Sequence, residues 1–196
     1  MDTRPGRKEV THERIVATAA RAIRRAGFRG VGVADIMKEA GLTHGGFYAH
    51  FASRNALLAE ALDQAGKQGG ARIAKAAASR QARGASALRA LVEGYLSERH
   101  LAAIETGCPV AALACEVPRQ APDVRAAAVR RIHGLMDMIQ CTLPSDAAVD
   151  SAAVIASQLV GALQLARALG DNAEGKALLA ATRHALLAQH DRGAAA

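Results

Sequence analysis

In the stretch GLTHGGFYAHF (Gly41–Phe51), a threonine, two histidines and a tyrosine fall within eight residues, among three glycines and two phenylalanines. The chemistry open to such a set is noncovalent. Hydroxyls and imidazoles can grip phosphate oxygens or reach base edges, and a helix start stripped of side chains can press into a major groove. The charge around it fits that chemistry. Residues 1–54 carry ten Lys/Arg against five Asp/Glu, so this quarter of the chain nets +5 of the total +7. A localised basic surface favours a polyanionic partner, although charge alone is equally compatible with a basic solvated face.

The second chemistry-bearing group is Cys108, Cys115 and Cys141. Three is an odd number and none lies in a CxxC pair, which argues against a disulfide framework or zinc site and fits a reducing cytoplasm. No metal or cofactor is expected. Cys108 stands between Gly107 and Pro109 at the start of a short apolar run. A thiol at a helix N-terminus has its thiolate stabilised, so sensing of oxidants or electrophiles competes there with a structural role. Cys115, seven residues on, is expected on the same helical face and in the core.

Elements that could hold these groups are all helical. Half the residues are apolar, nearly half of those alanine, and few segments alternate as strands do. Thr11 reads as the cap of a helix to Ala26, ended by Gly27, after ten frayed polar residues. Arg24 and Arg25 are read as its solvated face. A second helix, Val33–Ala40, stops at Gly41. Thr43 caps a third through about His50, with Phe47 and Phe51 turned inward. Ser53 caps a fourth, which should bend or break at Gly69-Gly70.

Three short helices and a longer one, with a glycine-started turn between the second and third, describe a helix-turn-helix. In that frame Thr43, His44, Gly45, Gly46, Tyr48, His50 and Arg54 are the DNA-facing set. His44 is placed for base edges, and Tyr48, His50 and Arg54 for phosphates.

The segment GFRGVGVADIMKEAGLTHGGFYAHFASRNALL resembles the DNA-binding domain of TetR/AcrR-type transcriptional regulators. The shared features are a glycine-aromatic after the first helix, an "I…AG-hydrophobic-[ST]" turn, "G-x-hydrophobic-Y-x-[HY]-F", and a basic residue three positions later. The likeness covers roughly residues 9–69. It implies an all-α homodimer with an N-terminal helix-turn-helix domain (9–69, motif about 32–51). A C-terminal ligand-binding and dimerisation domain (70–192) would follow. Two positions depart from the pattern. Gly32 stands where Ser or Thr usually caps the second helix and touches a phosphate, and Ala49 stands where a bulkier residue is common.

Beyond the motif, ALRALVEGYLSERHLAAI reads as one amphipathic helix, and Pro109 opens a short one. A longer helix starts at Pro122, followed by Ala147–Leu169 and Lys176–Gln189. Leu91, Tyr95, Ile104, Cys108, Leu113, Ile132 and Met136 could line an effector pocket for a small apolar or amphipathic molecule, or simply fill a core. Leu159, Val160, Leu163, Leu179 and Leu186, on the last two helices, are expected at a dimer interface, with Gly161 permitting close approach. The most apolar span, Ala152–Leu169, is interrupted by polar residues and reads as a buried helix rather than a membrane span.

The implied function is a ligand-responsive regulator, most simply a repressor on a palindromic operator. It would be released by a small-molecule or electrophile effector. Two other readings compete: an architectural DNA-binding protein without effector, and a thiol enzyme using Cys108 with His100 or His133 as base.

Overall fold

The computed structural model describes residues 6–191, and its regular structure among them is helical throughout. The frayed reading of residues 1–5, the alanine tail and residue 192 lie outside that range. Nine α-helices follow one another: α1 (Arg7–Ala26), α2 (Val33–Glu39), α3 (Arg54–Gln81), α4 (Ala87–Tyr95), α5 (Glu98–Ala102), α6 (Pro109–Leu113), α7 (Pro122–Gln140), α8 (Ser151–Leu169) and α9 (Ala173–His190). Between α2 and α3, His44–Ala49 forms a 3-10 helix.

The first helix begins earlier than Thr11. Glu9 reaches back to the Gly6 backbone N–H at 2.9 Å and caps the first turn, so residues 7–10 are helical. Ile15, Ala19, Ala22 and Ile23 form its buried stripe. Gly27 ends it at φ +75°, and its N–H donates to the Ile23 carbonyl. Gly41 turns the chain after α2 at φ +71°, as its place in the motif requires.

The fourth predicted helix does not break. α3 runs unbroken for 28 residues, about 42 Å. Its glycines serve close packing instead. A Cβ on Gly69 would stand 3.2 Å from the Gly107 carbonyl oxygen and 3.4 Å from the Pro109 ring, and the Arg131 side chain crosses Gly66. The helix gives up roughly 1 kcal/mol per glycine in propensity and gains the approach of two other segments.

The opposite error occurs at ALRALVEGYLSERHLAAI, where α4 ends and α5 starts anew. Ser97 accepts from the His100 N–H and caps the second piece, turning the chain at Leu96. α8 begins at Ser151, not Ala147, and α9 begins at Ala173, where Asn172 accepts from the Gly175 N–H. α8 has the length and composition of a membrane span but lies against α7 and α9.

Two apolar cores result, and within α3 they divide between Ala65 and Ile73. One gathers α1, α2, the 3-10 helix and the first half of α3, and takes in Leu113, Val124, Ala127 and Ala128 from the later helices. The other joins Ile73 of α3 to α4, α5, α7, α8 and α9. α3 belongs to both, so the boundary expected near residue 69 falls inside one continuous helix.

Candidate DNA interface and its joint to the second core

The recognition segment hangs on two rings. Phe47 and Phe51 are buried and stack with centroids 5.5 Å apart, which fixes the outward side of the same turn. Gly45 and Gly46 make this a poor α-helix, and the segment closes as a tighter 3-10 turn. Thr43 precedes it in extended backbone, but its hydroxyl makes no capping bond, contrary to the capping role read from sequence. That hydroxyl is exposed and free to meet an outside acceptor.

His44 and Gly45 are exposed beside it, and a Cβ on Gly45 would meet nothing within 4 Å. No packing within the chain therefore demands glycine there, whereas close approach by a partner would. Tyr48 is 73% exposed and held edge-on to Phe47 at 5.2 Å.

Two predicted contact residues are occupied differently. His50 is half-buried rather than outward, with its Nδ1 buried and unpartnered among the described residues. Burial first, then His12 and Lys8, holds its pKa below the usual histidine value, so the ring is neutral at pH 7. Arg54 does not reach outward. Its guanidinium donates to the Phe28 carbonyl, and to the Val31 carbonyl at 3.2 Å, pinning the α1–α2 loop to the start of α3. Gly32, lacking a side chain, is capped by the Asp35 carboxylate accepting its N–H at 3.2 Å.

His12 was missed by the sequence reading. It stacks on Phe51 at 4.5 Å and bonds Glu60 at 2.7 Å, tying α1 to the end of the recognition segment and to α3. Its signal was slight: one histidine on a mostly exposed helix turn.

The larger surprise is the end of α1. Arg24 is only 3% exposed. Its guanidinium donates to the Gly107 carbonyl at 3.1 Å, to Gln68 Oε1 at 2.8 Å and to the Ala65 carbonyl at 3.4 Å. Burial lowers its pKa to about 10, which still leaves it charged. Arg25 pairs with Glu39 at 2.8 Å and Glu105 at 3.0 Å. One turn on, the Glu116 carboxylate accepts the Phe28 N–H at 3.0 Å. Arg24 is not the solvated face expected of it, whereas Arg25 is exposed as expected but ion-paired. Together with Glu116 they join the DNA-facing core to the 105–116 segment.

The predicted pocket residues do not form one pocket. Leu91 and Tyr95 are buried in the second core, Leu113 is buried in the first, and Ile104 is 47% exposed. Ile132 and Met136 are half-buried on α7. Cys108, 5% exposed, lies beside the buried Tyr95 hydroxyl, and burial followed by the thiol's proximity raises the Tyr95 pKa. Cys115 lies outside α6 and is exposed, because the helix stops at Leu113.

His100 cannot serve Cys108 as a base through its ring. Its Nδ1 donates to the Tyr95 carbonyl at 2.7 Å, leaving Nε2 to accept the Cys108 backbone N–H at 3.0 Å. His133 is exposed on α7. Of the five residues expected between subunits, Leu159, Leu163, Leu179 and Leu186 are buried within the chain, and Val160 is half-buried. The exposed stripe of α8 is instead Val154, Gln158 and Leu165, with the half-buried Gly161 between them and Leu165 59% exposed.

Residues 15–61 match the family described as bacterial regulatory proteins, tetR family, and residues 84–182 match the tetracyclin repressor-like C-terminal domain. An uncharacterized HTH-type transcriptional regulator of Mycobacterium tuberculosis is 34% identical over 170 residues, covering 81% of this chain and 85% of that protein. Among solved structures, a TetR transcriptional regulator of Chloroflexus aurantiacus superposes with TM-score 0.75 at 24% identity, over 93% of this chain and 96% of the other. The reduced form of Escherichia coli NemR does so with TM-score 0.69 at 19% identity, over 89% and 96%. With its exposed recognition turn on a two-core helical frame, the chain belongs to the TetR family of transcriptional regulators.

Proposed function

We propose that this chain is a cytoplasmic, ligand-responsive repressor that binds a palindromic operator as a homodimer. The observation that carries the reading is the joint between the two cores. Arg24, Arg25 and Glu116 tie the recognition domain to residues 105–116, so a shift of that segment moves the DNA-facing core as a body. Half-sites on DNA lie about 34 Å apart, and a small hinge at each subunit takes both recognition turns out of register.

On the DNA side, Thr43 and Tyr48 grip phosphates, and His44 reads base edges through the gap left by Gly45 and Gly46. His50 and Arg54 support that surface from behind. The exposed stripe through Val154, Gln158 and Leu165 is the subunit interface, where the half-buried Gly161 leaves open space for a partner helix. The effector is a small molecule acting on the 103–116 segment. An electrophile reaching Cys108 would press on the same place. A purely architectural DNA-binding role leaves the joint and the second core without a task.

A mobility-shift titration against the DNA flanking the chain's own gene, across a salt series, tests the reading. Saturable, sequence-preferring binding with a steep salt dependence is expected. Binding no tighter than to random DNA, there and in a genome-wide selection of bound fragments, would refute it.

A further inference from the structure

A cavity of about 310 Å³ opens between α3, the corner joining α4 to α5, and the loop around residue 103. That is the lower end of the size range for small-ligand sites. Small residues create it: Ala76 of α3 faces Gly94 of α4, where a Cβ would stand 3.5 Å from the Ala76 Cβ. Ile73 and Ala76 supply apolar surface. The charge around the opening has one sign. Arg72, Lys75, Arg80 and Arg99 line it, and no carboxylate does.

Arg80 is already engaged. It lies 3.5 Å from the Glu93 carboxylate and donates to the Ala76 carbonyl at 3.0 Å. The side chains of Arg72, Lys75 and Arg99 make no ion pair or hydrogen bond among the described residues. His100 forms part of the wall as a neutral ring, since both of its nitrogens are committed to backbone groups. All three are exposed and unpaired among the described residues, and an anion seated among them would be met by charged donors from more than one side.

We infer that this cavity binds a small organic anion. Its carboxylate or phosphate sits among Arg72, Lys75 and Arg99, and its short apolar body lies against Ile73 and Ala76. That the anion is also the effector rests on the repressor reading above. The connection is short. Gly107, which lines the cavity, is the residue whose carbonyl accepts from Arg24 at the joint.

Isothermal titration calorimetry on the full-length chain tests the site without DNA, using hexanoate, hexyl phosphate and 1-hexanol as probes. One of the two anions is expected to bind at one site per chain, at least tenfold tighter than the alcohol. The tighter of them identifies the headgroup. Arg72→Gln with Arg99→Gln should weaken that binding at least tenfold, while Arg125→Gln, an exposed charge on α7, should leave it unchanged. Equal binding of the alcohol, or full affinity in the double variant, would overturn the site.

Adding the tighter anion to an operator complex then separates the two readings. Anion bound and operator released supports both. Anion bound with operator affinity unchanged supports the site and removes its effector role. Operator binding without anion binding overturns the site alone.

Discussion

Replacing Arg24 by methionine isolates the joint between the two cores. The substitution keeps a long, flexible stem in the same space and removes the donors. The Ala20 and Ala65 carbonyls lie inside helices and keep their backbone partners, and Gln68 can turn to water. The Gly107 carbonyl is different: the guanidinium, at 3.1 Å, is its donor, and the backbone bonds of the surrounding loop do not use it. Leaving a buried acceptor unsatisfied costs roughly 1–3 kcal/mol. Part of that is offset because a buried charge no longer has to be desolvated. A net loss of about 2 kcal/mol follows, and for a chain of this size that lowers Tm by about 4–8 °C.

Thermal unfolding followed by circular dichroism at fixed protein concentration measures it, with Arg25→Met as the comparison. Arg25 makes two ion pairs, but it is largely exposed, so its loss should cost under about 1 kcal/mol. A Tm for Arg24→Met within 1 °C of the parent, or a larger drop for Arg25→Met, would refute the claim that Arg24 bears the joint. The same variant should bind its operator with near-parent affinity while responding less to effector, because the contact removed lies between the domains and not on DNA.

Tyr48→Ala should weaken binding to operator and random DNA alike, by about 1 kcal/mol or roughly fivefold, since phosphate contacts carry no sequence information; parallel mobility shifts would expose a loss confined to the operator. His100 should make the fold acid-labile. Its pKa is held near 4 mainly by burial, so the folded chain takes up that proton less readily than the unfolded one. Stability is then full above about pH 6.5 and falls by about 3 kcal/mol towards pH 4. Denaturant melts across that range should show the step, and His100→Gln should remove it. Gly27→Ala should cost at least about 2 kcal/mol, from backbone strain at φ +75° plus collision with the Glu116 carboxylate. In a Glu116→Ala background the collision is absent and only the strain remains, so the double-mutant cycle should show clear non-additivity. Leu165→Glu should give folded monomers in sedimentation, whereas Leu163→Glu, placed in the core, should unfold the chain; a Leu165→Glu dimer would put the interface elsewhere.

The recognition segment was legible because its constraints are local. Gly41 must turn the chain at positive φ, and Phe47 and Phe51, four apart, must go inward, so the exposed positions of His44 and Tyr48 follow within one turn, while those of His50 and Arg54 do not. Long-range pairings left no such trace. Arg24 looks like surface charge until Gly107 arrives 83 residues later to accept from it. Its position four residues after Ala20, beside the apolar stripe, was the available hint. Arg54 likewise reads as a phosphate ligand until the folded α1–α2 loop presents two carbonyls to it. Gly69-Gly70 reads as a helix break on propensity alone, which takes no account of the segment that packs there.

The same reasoning explains why the apolar residues of the C-terminal half misled. Leucines chosen for size and period mark a core, and a core is what Leu91, Leu159 and Leu163 build. Surfaces that meet something outside the chain have the opposite signature: residues whose features serve no internal partner. Gly45 has open space where a Cβ would go, and so has Gly161. Tyr48 and Leu165 carry apolar surface into water, and among the described residues Arg72, Lys75 and Arg99 have no counterion. These fall into three separate places on the molecule. The repressor proposed above, which would bind DNA, a second copy of itself and a small anion, needs three such places. The joint through Arg24 and Glu116 runs between the first and the last of them.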